Sequence, residues 1–202
     1  MIERYRKIIV MLICVGVLFS CAPPPPPPAD IIASEKKQKP KPNINVTALE
    51  KQIHALINKE RQKNGLPLLA WDTALASIAG KYSRDMAKRN YFDHFSPEGH
   101  DFSKRYQQAG YQCAVRAAGT IYMGAENIAL NHIYDSVMVI GSYKYYDWNS
   151  QEKIAETTVQ GWMKSPGHRK NILTPYFKSE GIGIFINTSN DDGRVYITQN
   201  FC

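Results

Sequence analysis

Six consecutive prolines, Pro23 to Pro28, divide this chain before any other feature is weighed. Proline lacks an N–H donor and holds φ at about −65°, so such a run enters neither a helix interior nor a central strand. It is extended polyproline II, a semi-rigid spacer. The stretch that follows, Lys36 to Pro42, is basic, broken by proline and has nothing to bury. A folded core therefore lies beyond it. What remains of the 202 residues is enough for one domain, given a usual size of about 100–200 residues. A hydrophobic share of 44% supplies the material for a single core.

Ahead of the prolines the chain reads as an export signal. Arg4, Arg6 and Lys7 form a positive start, and Ile8 to Phe19 is apolar apart from Gly16. At 12 residues the run is short; about 20 are needed to span a bilayer as a helix. It has the size of a signal-peptide core. Leu18-Phe19-Ser20-Cys21 then resembles a bacterial lipobox, in which the cysteine is lipidated and becomes the new N-terminus. The alternative is a plain secretory signal with an incidental cysteine. The expected organisation is a lipoprotein signal over 1–20, a Pro/Lys-rich disordered linker over 21–46, and a domain over 47–202. Ala22 after Cys21 is not an aspartate retention signal, so a Gram-negative cell would send the protein to the outer membrane. A lipid on Cys21 makes the membrane a partner, and two or more acyl chains suffice for stable anchoring.

Charge narrows the other partners. The leader and the linker each carry a net +2, so only +3 of the total +7 belongs to the domain, with no basic stripe. Nucleic acid is not an expected partner. Of four cysteines, Cys14 leaves with the leader and Cys21 takes lipid. Cys113 and Cys202 remain, as one disulfide in an oxidising compartment or as two free thiols.

Within the domain, Thr47-x-x-Glu50 reads as a capping box opening a helix, with Leu49, Ile53, Leu56 and Ile57 on one face and Gly65 as its stop. Asp72 caps a second helix that buries Leu75, Ile78, Ala79, Tyr82 and Met86 and ends near Asn90. Tyr91 to Gly99 is loop. A short helix covers Phe102 to Ala109, residues 111–123 are loop or short strand, and Glu126 opens a further element. Ser150 caps another helix. Gly181 to Asn187 and Arg194 to Phe201 form a hairpin about the turn Asn190-Asp191-Asp192-Gly193. Helices early and strands late point to an α+β domain.

Five segments in this order resemble the CAP superfamily of cysteine-rich secretory, antigen 5 and pathogenesis-related proteins, in its bacterial SCP-like branch. They are Ile57-Asn58-x-Glu60-Arg61 with Gly65-Leu66-x-x-Leu69; Ala79 to Asp85 leading to Tyr91-Phe92-Asp93-His94-x-Ser96-Pro97; Gly124-Ala125-Glu126-Asn127-Ile128-Ala129; Gly161-Trp162-Met163-x-Ser165-Pro166-Gly167-His168-Arg169-x-Asn171-Ile172-Leu173; and Gly181-Ile182-Gly183 with Tyr196-x-Thr198-Gln199-x-Phe201. The resemblance implies a three-layer α-β-α sandwich with a surface cleft lined by His94, Glu126, Asn127, His168, Tyr196 and Gln199. Residues 131–149 exceed the bacterial pattern and read as an insertion beside the cleft. By motif match, His94, His168 and Glu126 form the candidate divalent-metal set, with zinc the ion expected. The second acid of the family pattern has no secure match, and Glu156 is a guess.

Histidine nitrogen and glutamate oxygen suit zinc, and three protein ligands plus water make an open site. Each residue also has a plainer role: His168 bracing a helix start, His94 donating to a loop carbonyl, Glu126 holding backbone amides. His54, His100 and His132 have no motif around them. Three functions follow. One is an envelope-anchored binding module for a metal and an unidentified lipid, glycan or protein ligand. The second is a metal-dependent hydrolase or one using His94, Ser96 and Glu126 on peptides or cell wall. The third is a structural or adhesive protein with a vestigial cleft. The binding module is favoured, because no nucleophile–base pair is evident.

Overall fold

A computed structural model describes residues 40–117, 119–189 and 193–202. The signal segment, Cys21, the polyproline run and most of the linker lie outside the described residues. The first helix, α1 (Val46–Lys63), starts two residues earlier than the capping-box reading, because Asn45 rather than Thr47 takes the cap. Its side-chain oxygen accepts from the Ala48 N–H at 3.0 Å, satisfying a donor that the helix itself cannot. Glu50 is thereby released, and accepts the Ile184 N–H across the domain at 3.1 Å. At the other end Gly65 sits at φ +67°, where the sequence places the stop.

After the short β1 (Ala70–Trp71), Asp72 caps α2 (Thr73–Arg89) through both Ala74 and Leu75 N–H groups. α2 ends on Asn90 in the left-handed region, φ 55°. Next come α3 (Phe102–Gln108), a small ribbon of β2 (Val115–Ala117) and β3 (Thr120–Tyr122), and the long β4 (Ala125–His132). A second ribbon, β5 (Tyr134–Ile140) with β6 (Tyr143–Trp148), leads to α4 (Gln151–Lys164), α5 (Pro166–Ile172), β7 (Ser179–Asn187) and β8 (Arg194–Phe201).

The main sheet has the order β1-β7-β8-β4, with β1 parallel to β7 and the rest antiparallel. Side chains alternate across it. One face presents Ile182, Ile184, Val195, Ile197 and Phe201, which pack with Leu49, Ile53 and Ile57 of α1 and with Ile154, Val159 and Trp162 of α4. The other face carries Gly181, Gly183, Tyr196, Thr198 and Ile128 and receives α2. There Tyr82 and Met86 pack on Ile128 and Tyr196, and Ser83 bonds both Gly183 O and Thr198 Oγ1 at 2.8 Å. This is the expected three-layer α-β-α sandwich.

Two long-range ties close it. Arg61, fully buried, donates to the carbonyls of Pro67, Ile172, Thr174 and Phe177, gathering loops from both ends of the chain. Cys113 and Cys202 form a disulfide across 89 residues, so the two-thiol alternative is set aside. Residues 131–149 carry the end of β4 and the second ribbon. Glu126 and His132 are six residues apart on β4, or about 20 Å at strand rise. The second ribbon therefore leaves from the strand end remote from Glu126, and not beside the cleft as the sequence reading of residues 131–149 expects.

Candidate functional site

The site is assembled where β4 begins. Gly124 enters the strand at φ +103°, and a Cβ there would lie 2.6 Å from Phe201 O and 2.8 Å from the Tyr106 ring. Only glycine lets the chain pass so close and still turn Glu126 toward the α2 side of the sheet. Ala125 points to the opposite face, into the main core.

His94 reaches Glu126 from the loop after α2. The Tyr82 hydroxyl holds that loop by donating to Asp93 O at 2.7 Å. Burial pushes the Tyr82 phenol up to about 12, so it stays a neutral donor. His94 Nδ1 lies 2.9 Å from Glu126 Oε1. The other carboxylate oxygen accepts a short, charge-assisted bond from Arg105 on α3. Arg105 is the organiser that the sequence did not disclose. Its guanidinium also donates to His94 O at 3.2 Å and His100 O at 2.6 Å, and stacks 3.4 Å above the Tyr82 ring. One arginine thus fixes the loop, the acid and the imidazole together. Nothing in Phe102 to Gln108 flags it, since its partners lie elsewhere in the chain.

His168 arrives from the other layer, on α5. Proline at the first turn of α5 starts the helix directly after α4. Asn171 Nδ2 then donates to Glu126 O at 3.1 Å and Asn127 Oδ1 at 2.9 Å, while Asn127 Nδ2 donates to His168 O at 3.3 Å. The His94 and His168 rings stand 6.2 Å apart, centre to centre, at 49°. His168 is held below its ordinary pKa, first by burial and then by the neighbouring His94, so it is a neutral imidazole near pH 7. A hollow of about 330 Å³ opens beside them, lined by His94, Phe95, Phe102, Gly124, Glu126 and Asn171 among others.

Three residues expected to line the cleft do not. Asn127 and Gln199 are fully buried on the α1/α4 face of the sheet, and Tyr196 is buried under α2. The alternation of β4 explains the first: a strand that aims Glu126 one way aims Asn127 the other. Both amides support the site from beneath. Buried Glu180 accepts from His54 Nδ1 at 2.6 Å and from Gln199 Nε2. A carboxylate only accepts, so Gln199 must turn its oxygen to Asn127 Nδ2, 2.9 Å away. His54 is thus a structural partner of Glu180. Glu156 is exposed on α4. Ser96 accepts the His100 N–H at 3.3 Å and bonds Glu98, closing its own turn. Among the described residues no hydrogen bond joins Ser96 to His94.

A metal would meet two imidazoles and an occupied carboxylate. Among the described residues no group of three His, Cys, Asp or Glu side chains is arranged around one point as a metal set. Both oxygens of Glu126 are engaged, one by the Arg105 cation, so Glu126 suits the role of orienting His94 better than that of a ligand. That leaves His94 and His168 as the two side chains of the expected set whose ring centres lie close together, 6.2 Å apart.

Comparison with known proteins agrees with the architecture. The family model described as CAP, the cysteine-rich secretory protein family, matches residues 54–201. The chain is 36% identical over 140 residues to YkwD of Bacillus subtilis, covering 69% of this chain and 43% of that one. It is 32% identical over 155 residues to YlbC, a membrane protein of the same organism, covering 77% and 34%. It therefore spans less than half the length of these relatives. Among solved structures, an extracellular SCP-domain protein of Bacillus anthracis aligns with TM-score 0.56 and 31% identity, over 77% of this chain and 40% of that one. An outer surface protein of Borrelia burgdorferi shares the fold at TM-score 0.53 and 16% identity, over 78% and 95%.

Proposed function

Because the chain belongs to the cysteine-rich secretory protein (CAP) family, we propose that it is a binding module of the cell envelope, tethered through lipid on Cys21. Its cleft takes a divalent metal, zinc above all, between His94 and His168, and presents it to a lipid, glycan or protein ligand. The observation that carries this reading is the pair of imidazoles 6.2 Å apart, brought from opposite layers of the sandwich. One is locked to Glu126 and the other is kept neutral, and only the neutral ring can donate its lone pair to a metal.

A bound cation would supply Lewis acidity at the cleft mouth. The protein's own part is to hold the two rings apart and oriented. Glu126 receives His94 Nδ1, which leaves Nε2 for the cleft; Asn127 and Asn171 hang α5, and with it His168, on β4. Arg105 balances the Glu126 charge, so the site carries no excess negative charge of its own. The commitment of Ser96 to its own turn favours binding over Ser/His hydrolysis.

Metal analysis of the full chain purified without chelator, followed by zinc titration, tests the reading. His94→Ala and His168→Ala should each abolish tight zinc binding. Glu126→Gln should weaken it by about 10–100-fold, as loss of an outer-sphere partner does. Unchanged zinc affinity in both histidine variants would refute the metal site.

A further inference from the structure

The second ribbon is the part of the domain that the cleft does not use. β5 and β6 pair with each other and, among the described residues, with no other strand. From Val137 to Tyr146 the sequence is Val-Met-Val-Ile-Gly-Ser-Tyr-Lys-Tyr-Tyr, in which Lys144 is the one charge. In register, Val137 and Val139 share a face with Tyr146 and Lys144, while Met138 and Ile140 share the other with Tyr145 and Tyr143. Apart from Lys144, both faces are therefore apolar. Met138 and Val139 are each 61% exposed, Tyr143 51% and Val137 42%. An unbroken apolar run is what a strand carries when both faces are covered; here Tyr146 is half-buried against Tyr134 and Trp148 at the base, while Val137, Met138, Val139 and Tyr143 toward the tip are left exposed.

The nature of the cover follows from shape. A second copy or another protein docked on one face would leave the other wet. The tip also offers only a handful of side chains, against the roughly 20–30 residues a side of a stable interface. A lipid bilayer covers both faces and the turn at once. From Val137 to Ile140 the strand advances about 10 Å, and interfacial segments sink about 5–10 Å into the headgroup and acyl boundary. Tyrosines at the tip and just behind it, Tyr143, Tyr145 and Tyr146, are the residue type that settles at headgroup level. Lys144 has a stem long enough to keep its ammonium in the headgroups. Backbone groups at the open strand edges remain at a depth where water still reaches them.

We infer that the β5–β6 ribbon is a membrane-contact tip, which dips Val137 to Tyr143 into the surface of a lipid bilayer. This does not rest on lipid at Cys21. An anchor would only raise the local concentration of bilayer that a weak tip needs.

The test uses the full chain carrying Tyr143→Trp, mixed with phosphatidylethanolamine/phosphatidylglycerol vesicles that have bromine on their acyl chains. Emission of the unsubstituted chain is subtracted. The added tryptophan should shift to shorter wavelength and be quenched by the brominated lipid. A Gln62→Trp probe should not be quenched; its exposed site lies near the far end of α1, the helix whose start bonds Gln151 just after the ribbon. Adding Val139→Asp, or separately Met138→Glu, to Tyr143→Trp should remove the quenching whether or not the chain still floats with the vesicles. That comparison separates the tip from any lipid anchor. A Tyr143→Trp signal that is unquenched, or quenched no more than Gln62→Trp, overturns the inference. So does a blue shift without vesicles in a chain that sediments as a dimer, since a second copy would then be the cover.

Discussion

Arg105 shows how much one residue can decide. Glu126 is 1% exposed at its side chain, and a buried carboxylate is tolerated only with its countercharge in place. Arg105→Met should therefore cost about 3–5 kcal/mol of unfolding free energy, read from urea denaturation. Arg105→Lys should recover only part, because an ammonium cannot serve Glu126, His94 O and His100 O in one plane. Glu50 is a milder case with an opposite remedy. Burial raises its pKa above the ordinary carboxylate range, so the folded state binds more protons than the unfolded one. The stability it contributes is complete below the unfolded pKa of about 4.3 and is lost as pH rises through the folded value. Glu50→Gln keeps an acceptor for the Ile184 N–H. It should raise the urea midpoint at pH 7, with a gain that shrinks as the pH falls toward about 4. The sequence disclosed His94, Glu126 and His168 because each sits in a compact local motif. Arg105 escaped because its partners are 5, 11 and 21 residues distant. Asn127, Gln199 and Tyr196 share motifs with the site but not its lining, and the period of a strand already separates Asn127 from Glu126.

At the scale of elements, the contact between α2 and the sheet is the tightest constraint. A Cβ on Gly183 would fall 1.9 Å from Gly80 N, whereas a Cβ on Gly80 would meet only Gly183 Cα at 3.8 Å. The two glycines face each other but are not equivalent. Gly183→Ala should push α2 off the sheet and sharply lower the melting temperature. Gly80→Ala should be tolerated, and gain up to about 1 kcal/mol of helix propensity. A paired thermal melt decides it, and equal losses would refute the asymmetry. Helix boundaries were legible to within a residue or two, since capping residues such as Asp72 and Ser150 act locally. The β5–β6 ribbon was not legible. Its continuous apolar run lacks the alternation that marks a half-buried strand, and its pairing is made outside the main sheet.

For the whole molecule, the disulfide joins the C-terminus to a loop 89 residues earlier. Replacing both cysteines by serine should cost about 2–5 kcal/mol of unfolding free energy. The fold should survive, because Cys202 is also held by backbone bonds to Lys178 and Ser179. The cleft depends on a longer-range closure, in which α2 with its following loop and α4 with α5 bring one histidine each to ring centres 6.2 Å apart. Zinc-edge X-ray absorption of the metal-loaded full chain examines that closure most directly. The expected spectrum has two imidazole nitrogens at about 2.0–2.1 Å and no sulfur, with one imidazole lost in either His94→Ala or His168→Ala. A zinc shell containing sulfur, or a spectrum that neither substitution alters, would contradict it.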